Sequence, residues 1–239
     1  MIDVSSYSGL GGRSNNEDYF KYNSHAFVLA DGLGGHECGE VASKAAVEYL
    51  TSYPDEKINI ENGLNHIAND VNNHILQIQK ENPKLASMRT TVVAAFIQGN
   101  KMGYLNVGDS RFYYFKKCEL VHQTVDHSVP AMLAQAGRVD PADIRNHEDR
   151  NKLLKVLGDS EDLALKGEKQ YDTIELEDGD AFLLCSDGFW EYVYETEMEI
   201  DLSKSDSAHE WKTYMLKRLL NRVTDNNDNF TLICGILRL

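Results

Sequence analysis

Several aspartates in this chain stand beside a glycine where an apolar run ends. The three pairs are Asp31-Gly32, Gly108-Asp109 and Asp187-Gly188. A carboxylate at a strand end is held by rigid backbone, and the adjacent glycine lets a ligand approach the main-chain carbonyl. Asp18 and Asp228 lie in comparable settings, the first ahead of Tyr19 and the second just before the last apolar run. Each pair alone is ordinary turn chemistry, so a functional interpretation requires that the aspartates converge.

Converging carboxylates would need cations to neutralise them. Two like charges about 4 Å apart repel by about 4 kcal/mol at an effective dielectric constant of about 20. An all-oxygen set of ligands favours Mg²⁺ or Mn²⁺ over zinc, which prefers thiolate and imidazole. Two such ions about 3.5–4 Å apart can share a bridging water, lower its pKa and orient it in line with a phosphorus atom. The aspartates therefore predict a metal-dependent hydrolase.

The elements that must position these aspartates are strands with helices between them. Apolar runs typical of strands occur at 26–30, 91–97, 102–107, 111–115, 181–185 and 230–237. Apolar residues recur with helical spacing from Leu64 to Ile78, and further helices are predicted at 40–53 and 208–223. The strands come in adjacent groups, which favours a mixed α+β fold. The polar stretch 130–150 is predicted to be a short helix and loop that acts as a mobile flap.

Length and charge narrow the class of protein. The 239 residues, 42% of them hydrophobic, suffice for one sizeable core, so we predict a single domain over 1–239. Acidic residues outnumber basic ones by 38 to 24, the opposite of what nucleic acids or anionic membranes attract. No apolar run approaches the roughly 18 residues of a spanning helix, and Met1–Leu10 lacks the features of a signal peptide. We therefore expect a cytoplasmic protein that binds neither nucleic acid nor membrane.

Seven short segments, taken in their order along the chain, form a pattern. They are Arg13-Ser14-Asn15-Asn16-Glu17-Asp18, Ala30-Asp31-Gly32-Leu33-Gly34-Gly35-His36 with Gly39-Glu40-Val41-Ala42-Ser43, Val107-Gly108-Asp109-Ser110-Arg111, Asp126-His127-Ser128, Asp178-Gly179-Asp180, Cys185-Ser186-Asp187-Gly188-Phe189-Trp190 and Asp228-Asn229-Phe230-Thr231. Together they resemble the signatures of the type 2C, metal-dependent Ser/Thr protein phosphatases in their compact bacterial form. The resemblance spans about residues 9–235 and implies an α+β fold. In that fold a central antiparallel β-sandwich is flanked by helical pairs in four αββα layers, with the metal site at one end between the sheets.

The resemblance also implies roles for the residues of the reaction centre. Asp31, Asp187 and Asp228 would ligate the first cation, and Asp31 with the Gly32 carbonyl would ligate the second. Arg13 would bind the substrate phosphate, a role that suits a planar bidentate donor. The implied cofactors are two core ions of Mn²⁺ or Mg²⁺.

Further ligands are implied around this centre. Asp18, together with Glu17, would hold metal-bound water. A third, weaker cation would use Asp109, Asp187 and Glu191, and family members often carry Asp at the last of these positions. With Arg13, Asp31 and Asp228, the residues Asp18 and Asp187 make up the predicted catalytic set.

The proton donor to the leaving group stays open at this point. Some family members place a histidine two residues after the first metal-binding aspartate, but here that position is Leu33. His36 lies nearby as a candidate acid, and metal-bound water is the alternative. The role of Arg89, at a position where the family usually has glycine, is equally open.

The resemblance names a class of substrate and partner. It implies phosphoserine and phosphothreonine proteins as substrates, made by a partner Ser/Thr kinase, and we expect a monomer. Two alternatives come from other classes: a phosphoprotein-binding protein that has lost catalysis, and a two-metal enzyme that acts on phosphodiesters or small metabolites. The presence of all the expected carboxylates disfavours the first, and the acidic composition disfavours nucleic acid as a substrate for the second.

Overall fold

Two antiparallel sheets form the centre of the computed structural model, which describes residues 1–34, 38–160, 163 and 173–238. The strands in these ranges are β1 (Ile2–Gly9), β2 (Asp18–Tyr22), β3 (Ala26–Leu33), β4 (Arg89–Thr90), β5 (Val92–Gln98), β6 (Lys101–Val107), β7 (Arg111–Lys116), β8 (Glu119–Gln123), β9 (Ile174–Glu175), β10 (Ala181–Cys185) and β11 (Phe230–Leu237). One sheet has the order β1-β11-β10-β7-β8, and the other β2-β3-β5-β6-β9 with β4 paired to β3.

Helices cover the outer faces of both sheets. They are α1 (Cys38–Thr51), α2 (Asn65–Glu81), α3 (Val129–Gln135), α4 (Asp187–Trp190), α5 (Glu195–Ser203) and α6 (Ala208–Leu220), with 3₁₀ turns at Asp55–Lys57, Ile60–Asn62, Pro83–Leu85 and Pro141–Asn146. The α1–α2 pair packs on the β2–β3–β5–β6 sheet, and the α5–α6 pair packs on the other. This layering confirms the predicted sandwich. None of the helices in the described ranges is both long and apolar enough to cross a membrane.

Strands buried on both faces explain why the sequence shows continuous apolar runs. Phe27 of β3 packs between the sheets against Phe182 of β10, with ring centroids 4.8 Å apart. The next residue, Val28, points to the opposite face and packs under α1 and α2, as the two-residue period of a strand requires. Burying a side chain of this size stabilises the fold by about 1.5–3 kcal/mol.

The predicted elements agree with the observed ones in most places. The predicted strand at 230–237 is β11, and the helical stripe from Leu64 to Ile78 lies in α2. The helix predicted at 208–223 ends earlier, at Leu220. Among the described elements, the sequence did not predict the strands β1, β2, β4, β8 and β9 or the helices α4 and α5. Strand β1 is rich in serine, and the apolar residues of α5 do not form a helical stripe.

The segment predicted as a flap contains a short helix and a 3₁₀ turn, as expected. Ser128 caps α3 by accepting a hydrogen bond from the amide of Ala131. Arg145, in the 3₁₀ turn, donates to both carboxylate oxygens of Glu195 at 2.6 and 2.5 Å. The segment is thereby tied to the start of α5, and its motion stays a prediction.

Candidate active site

A cleft of about 400 Å³ is lined by residues that adjoin strands of both sheets. Six predicted site residues line it: Arg13, Asp31, Gly32, Asp109, Asp187 and Asp228. Asp18 is buried and pairs in register with Asp31 on the neighbouring strand. Glu191 follows α4 and forms an ion pair with Arg150. The candidate acid His36 lies outside the described residues.

Asp31 and Gly32 lie within strand β3, near its end. The apolar run had suggested that they follow the strand. The amide of Asp31 donates to Thr91 Oγ1 at 3.0 Å, and the amide of Thr91 donates to the Asp31 carbonyl at 2.8 Å. At Gly32, a Cβ would lie 2.1 Å from the carbonyl oxygen of Gly39. Only glycine fits there, because the backbone of α1 approaches too closely for any side chain.

A serine not identified from the sequence supports the centre of the cleft. The hydroxyl of Ser186 donates to Asp18 Oδ2 at 2.8 Å and accepts from the amide of Thr231 at 3.0 Å. Asp187, the next residue, begins α4. Among the described residues, Oδ1 of Asp18 and Oδ1 of Asp187 are buried with no hydrogen-bond partner. A buried carboxylate oxygen without a donor costs free energy, and a cation would satisfy it.

The turn that carries Asp109 is fixed by two other side chains. Gly108 has a φ of +108°, a conformation that favours glycine, and its amide donates to Nδ1 of His127 at 3.1 Å. The indole of Trp190 donates to the carbonyl of Asp109 at 2.9 Å. His127 therefore acts as a structural residue of the turn.

The electrostatics of the cleft fit a cation site. Burial raises the pKa of Asp31 and Asp187 well above its usual value, and repulsion from the other carboxylates raises it further. Burial likewise raises the pKa of Asp18 to about 6 and that of Asp109 to about 7. Two of these four carboxylates, Asp18 and Asp109, are buried, and the other two are partly buried. Carboxylates whose ionisation is disfavoured in this way are suited to hard divalent cations, which favour the charged form.

Arginine side chains form ion pairs with two of the predicted metal ligands. Arg13 donates from Nε to Asp228 Oδ1 at 2.9 Å and from Nη2 to Oδ2 at 2.6 Å. Arg150 grips both oxygens of Glu191, with 3.1 Å between Nη2 and Oε2. In the part of the chain that the structure describes, no three acidic, histidine or cysteine side chains form a ready-made metal group. The geometry that the predicted ligands would adopt around a cation therefore stays a prediction.

Asn229 organises the loop that carries Arg13, a function that sequence reasoning missed. Its side-chain oxygen accepts from the amide of Glu17 at 2.8 Å, and its nitrogen donates to the carbonyls of Leu10 and Asn15. Asn229 follows Asp228 in one of the segments already singled out, which is the signal that could have identified it. The cleft is further lined by Asn151 and Leu153, also not predicted.

In EDTA, the free energy of unfolding is expected to fall as the pH rises from about 5 to about 7. Asp18 and Asp109 have pKa values of about 6 and 7 in the fold, against about 3.9 in an unfolded chain. The folded protein thus holds protons that the unfolded chain has released, so stability decreases with pH, by at most about 1.4 kcal/mol per group and pH unit. Urea denaturation at several pH values measures this slope.

The matched variant is Asp109→Asn, which should flatten the slope. Two groups act in the opposite direction. Glu197, whose pKa is lowered to about 2 by hydrogen bonds from Arg222, does so only below about pH 4.5. His74, whose pKa is lowered by burial, does so within this window, as one group against several carboxylates with a raised pKa. Stability in EDTA that rises from pH 5 to 7 would contradict the electrostatic description of the cleft.

Comparison with known proteins shows the family to which the chain is similar. Residues 10–228 match the model of the family described as protein phosphatase 2C. The serine/threonine phosphatase stp of Listeria monocytogenes serotype 4b is 36% identical over 197 residues, which cover 79% of this chain and 74% of that protein.

Solved structures give the same result. The serine/threonine phosphatase PstP/Ppp of Mycobacterium tuberculosis is similar with a TM-score of 0.85 at 28% identity, over 100% of this chain and 99% of that one. The catalytic domain of PstP, solved in complex with two manganese ions, is similar with a TM-score of 0.82 at 27% identity, over 100% and 99% of the two chains.

Proposed function

Since the chain belongs to the protein phosphatase 2C family and is a metal-dependent serine/threonine protein phosphatase, we propose that the aspartate-lined cleft hydrolyses phosphoserine and phosphothreonine. The observation that carries this proposal is a single cleft lined by aspartates that adjoin strands of both sheets, among them Asp31 and Asp187, whose pKa is raised. Such an arrangement costs stability unless it serves a charged ligand.

The aspartates divide into ligands of different cations. Asp31, Asp187 and Asp228 would hold one cation, and Asp31 with the Gly32 carbonyl would hold a second. Asp18 pairs in register with Asp31 on the neighbouring strand and would orient water. When bound, two Mn²⁺ or Mg²⁺ ions would neutralise phosphate charge and supply an activated water for attack on phosphorus.

The outer ligands contribute less directly. Asp109 and Asp187 would hold a third, weaker cation together with Glu191. Repulsion from Glu191 raises the pKa of both aspartates, which supports their proximity. Glu191 also bonds to Arg150, so a cation at this position would compete with that arginine.

Arg13 would hold the phosphate in the cleft. Its side chain lines the cleft and is 55% exposed, so a ligand can reach it. A guanidinium can bind two phosphate oxygens at once and fix the phosphorus for in-line displacement. Uncatalysed phosphomonoester hydrolysis calls for acceleration by up to about 10²¹, and one general acid supplies only about 10²–10⁴. Charge neutralisation, in which Arg13 takes part, must therefore supply most of the effect.

The substrates of this reaction are phosphoproteins. We propose that they are the products of a Ser/Thr protein kinase, because that reaction forms the phosphomonoesters that this one removes. A monomer suffices for the proposed mechanism, since the residues assigned to it come from one chain.

Arg13→Ala is expected to raise KM for a phosphothreonine peptide by about 10- to 100-fold, because a charge-assisted hydrogen bond contributes about 1.5–3 kcal/mol. The smaller expected change is in kcat. Steady-state kinetics with saturating Mn²⁺ measure both. Arg222→Ala is the control, since Arg222 also forms a bidentate pair, with Glu197, and does not line the cleft. Unchanged KM and kcat in Arg13→Ala would show that another group binds the phosphate.

A further inference from the structure

Arg13 and Asp228 form a bidentate ion pair. The Nε and Nη2 atoms of Arg13 contact one carboxylate oxygen each, at 2.9 and 2.6 Å. The amide of Asn229 donates to the same Oδ1 at 2.8 Å. The carboxylate therefore receives three donors, and one complete edge of the guanidinium is committed to it.

Both partners have a second ligand in the proposed function. A cation at Asp228 needs at least one of the two carboxylate oxygens, and Arg13 contacts both. A phosphate bound through Nε and Nη2 needs the edge of the guanidinium that Asp228 now occupies. While the ion pair persists, the cation competes with Arg13 for both oxygens, and phosphate can reach only the Nη1–Nη2 edge of the guanidinium. The two binding events are therefore connected through a single contact.

The backbone around the pair is fixed, so the contact can break by side-chain rotation alone. The amide of Gly12 donates to the carbonyl of Asn227 at 2.9 Å, and the side chain of Asn229 donates to the carbonyl of Leu10 at 2.8 Å. These bonds join the loop before Arg13 to the residues on either side of Asp228. The side chains of the pair are 55% and 37% exposed, and exposed ion pairs are weak enough for a ligand to displace.

We propose that Arg13 is an internal competitor of the cation at Asp228, and that cation binding there releases Arg13 to receive the substrate phosphate. This inference rests on the proposed function, in which Asp228 is a metal ligand and Arg13 binds phosphate. The ion pair reduces the repulsion among the carboxylates of the cleft, and it makes phosphate capture through Nε and Nη2 of Arg13 depend on a cation at Asp228. By linkage, phosphate bound to Arg13 favours cation binding at Asp228.

Isothermal titration calorimetry with Mn²⁺ alone, at constant ionic strength, tests the competition. Arg13→Ala is expected to bind Mn²⁺ about fivefold more tightly than the wild type, the upper end of what an exposed ion pair contributes. Arg13→Lys, which keeps the charge and loses the fork, should lie between the two. In the Asp228→Asn background, where Mn²⁺ still has Asp31 and Asp187, Arg13→Ala should have no effect.

The remaining outcomes separate the possible failures. Equal Mn²⁺ affinities in the wild type and Arg13→Ala would overturn the competition. It would also be overturned if Arg13→Ala raised the Mn²⁺ affinity equally with Asp228 and with Asn at position 228, because such an effect would come from long-range charge alone. If Asp228→Asn alone leaves the Mn²⁺ affinity unchanged, the proposed ligand assignment fails, and the competition with it. Arg222→Ala, the matched control for loss of an arginine, should leave the affinity unchanged.

Discussion

Asp187→Asn is expected to lower kcat towards a phosphothreonine peptide by about 10³-fold or more, because charge stabilisation by cations contributes several kcal/mol to the transition state. Asp187 is proposed to contact more than one cation. The substitution keeps the shape of the side chain and removes a charge that burial and neighbouring carboxylates disfavour. The fold should therefore persist, with a thermal midpoint in EDTA no lower than that of the wild type.

The control for this variant is Asp178→Asn. Asp178 precedes β10, is exposed and does not line the cleft. The activity of Asp178→Asn should therefore match that of the wild type. Near-normal turnover by Asp187→Asn would remove Asp187 from the reaction. Mn²⁺ titration of the same variant distinguishes two causes of lost activity. Loss of a metal ligand weakens Mn²⁺ binding, whereas loss of a substrate contact does not.

Arg111→Met is expected to lower the free energy of unfolding by about 3–5 kcal/mol, the usual cost of leaving one partner of a buried ion pair alone. Arg111 is buried and donates to both oxygens of Asp126, each at 2.8 Å. Its guanidinium also lies 3.5 Å from the ring centroid of Trp190. Urea denaturation in the presence of Mn²⁺ measures the loss.

Replacing both members of the pair provides the matched comparison. Arg111→Met combined with Asp126→Leu removes both charges, so it should recover most of the stability lost in the single variant. A single variant within about 1 kcal/mol of the wild type would contradict the account of this pair. Because Trp190 also holds the carbonyl of Asp109, the pair connects the stability of the core to the floor of the cleft.

The fold could be predicted where burial is simple. Strands buried on both faces, such as β10 and β11, give continuous apolar runs, and α2 has one clear apolar stripe. The serine-rich β1 and the weakly patterned α5 could not be predicted in this way. Both become ordered because neighbours cover them: β1 pairs along its whole length with β11, and α5 packs against α6.

The candidate site could be predicted only in part, because its contacts join distant parts of the chain. Local pattern placed aspartates at strand ends, and the resemblance to a family grouped them. The bonds from Ser186 to Asp18 and from Arg13 to Asp228 span 168 and 215 residues. No local spacing reveals such pairs, so the competition of Arg13 with a cation emerged only from the three-dimensional arrangement.

The most direct test of metal-dependent phosphoprotein hydrolysis is the activity on a phosphothreonine peptide after treatment with EDTA, followed by addition of Mn²⁺ or Mg²⁺. A phosphodiester of the same leaving group serves as the comparison. The expected result is activity that vanishes in EDTA, returns with the cation and strongly favours the peptide. Full activity in EDTA, or none with any cation, would contradict the account.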